Sequence, residues 1–261
     1  MKKVFLSVLV LATVFMSCKK DDEARNGIFR GPAVKVHGGK AWTWVQLDSQ
    51  GNPLRAAVTI DDKAMNSVPA GTGHEGGGAH DMMDNMWTLK FHAKGIVLPF
   101  NHVGMGWNPN GHEPENIYTQ PHFDFHFYSM TPDEVAAIPV YEAAKEKFDN
   151  RPAPEYFPAT YINPGGGVPM MGAHWIDVTS PEFHGQLFTQ TFIFGSYDGK
   201  VTFYEPMITK AFLLANSNYE REIPQPAKVQ QTGYYPTKMR VVKHDGVTEI
   251  ILDGFVKRVQ S

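Results

Sequence analysis

The sequence predicts a mainly β (α+β) fold, a single-domain β-sandwich or barrel with one or two peripheral helices. Three observations carry this. Glycine (24) and proline (19) supply about one residue in six of the 261, which calls for many turns and short elements. Several short runs have the composition and length of strands and are separated by turn residues. Finally, the chain shows no strand–helix alternation and no repeat of fixed period, which argues against a doubly wound sheet or a solenoid.

Taken in order, Trp42 to Leu47 reads as a strand and Ala56 to Ile60 as its hairpin partner, joined by a turn at 48–53. Residues 61–85, rich in Gly, Asp and Met, read as a long loop. Met86 to Phe91 and Ile96 to Phe100 are strand-like, and 104–120 reads as an extended loop. His122 to Tyr128 is a strong strand. Thr131 caps a helix, with Pro132 at its first position and Glu134 completing a capping box. Pro139 breaks that helix before a second segment, Val140 to Phe148. Residues 150–173 lack helical periodicity. Phe188 to Phe194 and Val201 to Glu205 form a hairpin, Ile208 to Ala215 a short helix, and Met239 to Lys243 with Val247 to Leu252 a last hairpin turning at Asp245-Gly246.

The N-terminal residues address location. Lys2 and Lys3 precede an apolar run, Val4 to Met16, broken only by Ser7 and Thr13. That run is short of the ~20 residues a spanning helix needs and fits a signal peptide. It ends in Phe15-Met16-Ser17-Cys18, which resembles a lipobox, and Cys18 is the only cysteine. The expected organisation is therefore a lipoprotein signal peptide (1–17), a lipidated Cys18 with its tether (18–33) and one β-rich domain (34–261). Acyl chains on Cys18 would anchor the protein to a membrane without a spanning helix. The acidic run Asp21-Asp22-Glu23 resembles export signals of surface-displayed Gram-negative lipoproteins. The expected location is thus the bacterial cell envelope, at the outer membrane or the surface.

Composition excludes several functions. A net charge of -3 is wrong for gripping nucleic acid through its phosphates, so no nucleic-acid partner is expected. One cysteine excludes a disulfide framework, thiolate zinc sites and paired-cysteine redox chemistry. Gly71-Thr72-Gly73-His74-Glu75-Gly76 matches a dinucleotide fingerprint but lacks a preceding strand and a following helix. Ser196 lacks the spacing of a nucleophile elbow, and no HExxH or Walker A motif is present. His74, Glu75, His80, Asp81 and Asp84 read as a mobile glycine-rich loop rather than a metal clasp, and Met82, Met83 and Met86, which lack regular spacing, as packing rather than a soft copper site.

The 11 histidines are unevenly placed, and the densest passage runs from His112 and Glu113 through Tyr118 to the PHFDFHFY stretch at 121–128. Strand alternation puts His122, Asp124, His126 and Tyr128 on one face and Phe123, Phe125 and Phe127 on the core face. Positions i and i+4 of a strand lie about 13 Å apart, so His122 and His126 cannot share an ion without a bulge. Positions i and i+2, about 6.6 Å apart, can. The expected metal ligands are Asp124, His126, His174 and Glu205, with His112, Glu113 and His122 flanking as acid/base or orienting groups. Glu205 stands out because it shares a strand face with Val201 and Phe203, and a buried carboxylate needs a partner. Such a donor set suits zinc, iron, manganese or copper and disfavours calcium or magnesium. A metal-free polar pocket and a solvated face remain open alternatives, as does a non-catalytic binding module stacking a small molecule or glycan on Trp42, Trp44, Trp107 and Trp175. A structural role as an oligomeric envelope protein is a further rival.

Several long motifs carry a family likeness: Trp107 to Pro114 (WNPNGHEP) running into Tyr118 and PHFDFHFY, the GAHW of 172–175, the GSYDGKVTFYEPMIT of 195–209, and the hairpin from Gly39 through Pro53. Across roughly 34–257 the chain resembles an uncharacterised family of bacterial exported proteins grouped as a domain of unknown function. The resemblance implies a β-rich fold and a homo-oligomer, with no reaction or metal attached. The stretch 71–78 departs from that pattern as an insertion.

Overall fold

The computed structural model describes residues 27–71, 85–114 and 116–261. The leader, Cys18 and the acidic tether residues therefore lie outside the described residues, as do His74, Glu75, His80, Asp81, Met82, Met83 and Asp84. The fold is the expected sandwich of two seven-stranded antiparallel sheets.

The first sheet contains β1 (Ile28–Arg30), β2 (Val34–Val36), β3 (Gly39–Leu47), β4 (Pro53–Asp61), β12 (Asn218–Glu222), β14 (Lys238–His244) and β15 (Val247–Asp253). Its order is β1-β3-β4-β15-β14-β12, with β2 paired to β3. The second is built from the middle of the chain: β5 (Met86–Lys90), β6 (His102–Asn108), β7 (His122–Tyr128), β8 (Tyr161–Ile162), β9 (Ala173–Asp177), β10 (Gln190–Tyr197) and β11 (Lys200–Thr209). Its order is β5-β6-β7-β11-β10-β9-β8. A small ribbon pairs β13 (Gly233–Tyr235) with β16 (Val256–Arg258).

One apolar core fills the space between the sheets. Val45, Val58, Ile60, Val241, Ile250 and Leu252 meet Val103, Met105, Phe123, Phe125, Phe127, Phe192, Phe194 and Tyr204. The three phenylalanines of β7 face this core as the alternation requires, and each is fully buried.

Four short α-helices lie at the periphery among the described residues: α1 (Asp62–Ser67), α2 (Pro132–Ala136), α3 (Lys145–Asp149) and α4 (Lys210–Ala215). α2 carries the expected capping box, in which the Thr131 side chain accepts from the Glu134 backbone and Glu134 from the Thr131 backbone. No helix among the described residues is long and apolar enough to cross a membrane.

The structure corrects several sequence expectations. β1 falls within the stretch assigned to the tether, because Ile28 to Arg30 pair with Gln46 to Trp44 of β3. Residues 61–67 are no loop, since Asp61 accepts from the Ala64 backbone at 2.7 Å and nucleates α1. Ala93–Val97 forms a 3-10 turn where a strand was expected from Ile96, capped by the His92 side chain. The segment from Val140 divides into a 3-10 turn, Tyr141–Ala143, and α3. The largest correction is β6, a strand that runs on through Asn108 into the stretch read as an extended loop from 104. Its core face is Val103, Met105 and Trp107, and its opposite face is His102, Gly104, Gly106 and Asn108. The glycines disguise the alternation. At Gly104 a Cβ would lie 2.9 Å from the Tyr128 ring, and at Gly106 it would lie 3.0 Å from Met86 Sδ. Side chains of the neighbouring strands occupy that space instead.

Candidate metal centre

The outer face of the second sheet carries the chemistry. All seven residues of β7 are buried, although only one of its faces meets the sandwich core. The other face is roofed. The loop between β6 and β7 lays His112 against His122, with ring centroids 4.7 Å apart, and Phe188 packs on His122 at 5.3 Å. Tyr128 donates to the Met170 carbonyl at 3.2 Å, fixing the segment before β9 over the same face.

Two triads of side chains sit under this roof. The first is His112, His122 and Asp124 and the second is His126, His174 and Glu205. Within each, one ligand atom per residue lies within 4.8 Å of the others. The division follows strand geometry: His122 and His126, separated by about 13 Å along the strand, part into different triads.

In the first triad the Nε2 atoms of His122 and His112 stand 3.2 and 3.5 Å from the Asp124 carboxylate. Their Nδ1 atoms lie 2.7 Å from the Gln120 carbonyl and 2.6 Å from the Glu113 carbonyl. A carbonyl only accepts, so Nδ1 carries a proton in each ring and Nε2 is the atom turned to the centre. This is the orientation that outer partners impose on metal-binding imidazoles. The Asn108 amide donates to Asp124 Oδ2 at 2.7 Å and lies 3.4 Å from His122 Nε2. Asp124 Oδ1 is buried and has no hydrogen-bond partner. Burial would raise the Asp124 pKa, but His122 and His112 outweigh it and hold the carboxyl well below the usual range. Burial likewise opposes charge on His112, and Asp124 overrides it, leaving that imidazole raised.

The second triad joins three strands. Glu205 of β11 places Oε1 3.3 Å from His126 Nε2 and Oε2 3.8 Å from His174 Nε2. His174 comes from β9, opposite Gly195 of β10. Phe203 packs against both rings, 4.9 Å from His126 and 5.3 Å from His174. Neither ring nitrogen of His126 has a hydrogen-bond partner, and neither does Glu205 Oε2. Desolvation pulls the His126 imidazole down to about 4 and that of His174 to about 3. Burial, reinforced by the Asp124 charge, pushes the Glu205 carboxyl well up. Burial thus disfavours charge on all three side chains.

The triads are neighbours, with Asp124 and His126 two residues apart on one strand face. The Tyr118 hydroxyl is buried without a partner, and burial, together with the carboxylates Glu182, Glu205 and Asp124, raises its pKa. Only the outer imidazoles reach solvent, the His112 side chain at 25 % and that of His174 at 22 %.

The face therefore gathers His112, His122, Asp124, His126, His174 and Glu205. It differs from the expectation in one respect: Asp124 stands with His112 and His122, the two expected only to flank, and not with the other three expected ligands. Glu113 contributes its backbone carbonyl, and the residue itself is exposed. Sequence reasoning missed Asn108, whose strand was hidden by its glycines, and gave Tyr118 no role. The tryptophans separate instead of forming one platform. Trp107 and Trp175 belong to the sandwich core, whereas Trp42 and Trp44 pack on the outer face of the first sheet.

No family model matches the chain, and neither a curated protein nor a solved structure matches it.

Proposed function

We propose that the protein is an exported, lipid-anchored envelope protein that binds a first-row transition metal ion through His126, His174 and Glu205 and uses it in metal-dependent catalysis. The observation that carries this reading is the second triad's lack of internal hydrogen bonds. His126 Nε2 and Glu205 Oε2 are buried and stand close to their neighbours, yet neither has a hydrogen-bond partner. Leaving such groups unpaired is costly, and a cation at their focus removes the cost. Two imidazoles with one carboxylate are a donor set of catalytic zinc and of mononuclear iron sites, and the set leaves coordination positions open for water and substrate. A bound ion of this kind acts as a Lewis acid or activates a bound water. The partial exposure of His174 gives a small-molecule substrate its approach.

Export and anchoring rest on the basic, apolar and FMSC pattern from Lys2 through Cys18. Membership of the uncharacterised exported family rests on the shared motifs around residues 107–128, 172–175 and 195–209.

The test is elemental analysis of the full chain, purified untagged in mild detergent. Near-stoichiometric zinc, iron, manganese or copper, lost in His126→Ala, is the expected result. A folded chain that stays metal-free after incubation with each of those ions overturns the reading.

A further inference from the structure

We infer that His112, His122 and Asp124 form a second site for a first-row divalent transition ion, so that this sheet face holds two ions side by side. The inference rests on the metal reading of the neighbouring triad and extends it. Six donors cannot converge on one ion here, because His122 and His126 are fixed four positions apart on one strand. Each triad is already complete by itself, with two imidazoles and one carboxylate whose ligand atoms fall within 4.8 Å.

The first triad is preset for a cation. Its Nδ1 positions are engaged by the Gln120 and Glu113 carbonyls, so both Nε2 atoms are turned to Asp124. At 3.2 to 3.5 Å, each Nε2 and the Asp124 carboxylate need a proton or a metal ion between them. Asp124 Oδ1 is buried with no donor, while Asn108 holds Oδ2 and so fixes the carboxylate plane. A metal ligand with an orienting partner behind it has this arrangement. The nitrogen-rich donor set selects a zinc-like ion over calcium or magnesium. The two triads are adjacent, with Asp124 and His126 two residues apart on one strand face.

Binding stoichiometry tests this. The full chain, untagged in mild detergent, is stripped with a chelator and titrated with Zn²⁺ alone, and bound zinc per chain is counted. The expected values are two for the native chain, one for His112→Gln and one for His174→Gln. Both replaced rings are partly exposed, so the fold should tolerate the change, and near-ultraviolet circular dichroism confirms that it has. A native count of one, or two ions retained by a folded His112→Gln, overturns the second site and leaves the proposed function intact. A count of one is also what a protonated His112 paired with Asp124 gives in place of an ion. A count of zero overturns the proposed function itself. Co²⁺ titration of the native chain gives a check that needs no variant: two resolved absorption phases are expected, and a single phase ending at one equivalent refutes the pair.

Discussion

The outer faces of the two sheets are made from the same residue types and solve opposite problems. On the first sheet, Trp44 donates to Glu249 at 2.9 Å, Thr59 donates to the same carboxylate oxygen at 3.0 Å, and His244 lies 3.2 Å from its other oxygen. Asp253 is held by Arg55 at 3.3 Å and by Arg240 at 3.1 Å. Each of these carboxylates meets a donor or a cation supplied by the face itself. On the second sheet, Asp124 Oδ1, Glu205 Oε2 and both ring nitrogens of His126 are buried without a hydrogen-bond partner. A histidine and an acid close together do not mark a site. A histidine and an acid buried close together, with their lone pairs unanswered, do.

The sharpest way to break this comparison is to neutralise one glutamate on each face. Glu205→Gln should weaken Zn²⁺ binding by more than the ~10–100-fold that loss of an outer partner causes. Glu249→Gln should leave zinc content unchanged and lower stability by about 1–3 kcal/mol, the usual effect of disturbing buried hydrogen bonds. Paired zinc titrations and urea melts check both. Equal losses of zinc would erase the distinction.

Acid sharpens it next. In the metal-free protein His102 and His126 are held down to about 4, and His174 to about 3, by desolvation from an ordinary value of 6.5. Below pH 6.5 the unfolded chain takes up protons that the folded chain refuses. Stability should therefore fall as pH drops from 6.5 toward 4, by about 1.4 kcal/mol per pH unit for each fully affected ring. Glu205, with its raised pKa, works in the opposite sense: its ionisation costs stability at higher pH, and that cost fades as pH falls toward 4.5. Glu205→Gln should thus steepen the acid loss. Urea melts in chelator between pH 7 and 4 measure the slope, and a stability that stays flat or rises would contradict the burial argument.

A smaller effect should come from Asn108→Ala. Releasing Asp124 Oδ2 should weaken one zinc event by about 10-fold and leave the other unmoved. The same titration reads it, and a uniform weakening of both events would mean that Asn108 supports the sheet and not one triad.

How much of this could be read in the sequence depended on how local each feature is. β7 was legible because its period-two alternation is complete within the one strand, and the Phe face required the His and Asp face to point the other way. The capping box of α2 and the Asp245-Gly246 turn are equally local. β6 was illegible because glycines stand where polar side chains would have shown the period, their space being taken by Tyr128 and Met86 of adjacent strands. The membership of each triad was illegible for a related reason. Spacing alone separated His122 from His126, but which carboxylate each joined depends on β11 lying beside β7 and on the β6–β7 loop folding back to deliver His112. Glu205 was noticed as an oddity, since an acid among Val201 and Phe203 breaks its local pattern. Its partners, His126 and His174, come from β7 and β9, far upstream in the chain, and leave no mark near it.

The topology also orders events in time. The second sheet is contiguous, from β5 through β11, so all of its pairings can form before residue 210 has been synthesised. The first sheet cannot. β15 inserts between β4 and β14, and Ala57 meets Ile251 across nearly the whole fold. Such distant pairings carry a large loop-closure cost and form slowly. Until β15 arrives, β4 presents an open hydrogen-bonding edge, which invites pairing with another chain. The hairpin of β14 and β15 is therefore the closing clasp of the molecule, and the metal-binding sheet is the half assembled first.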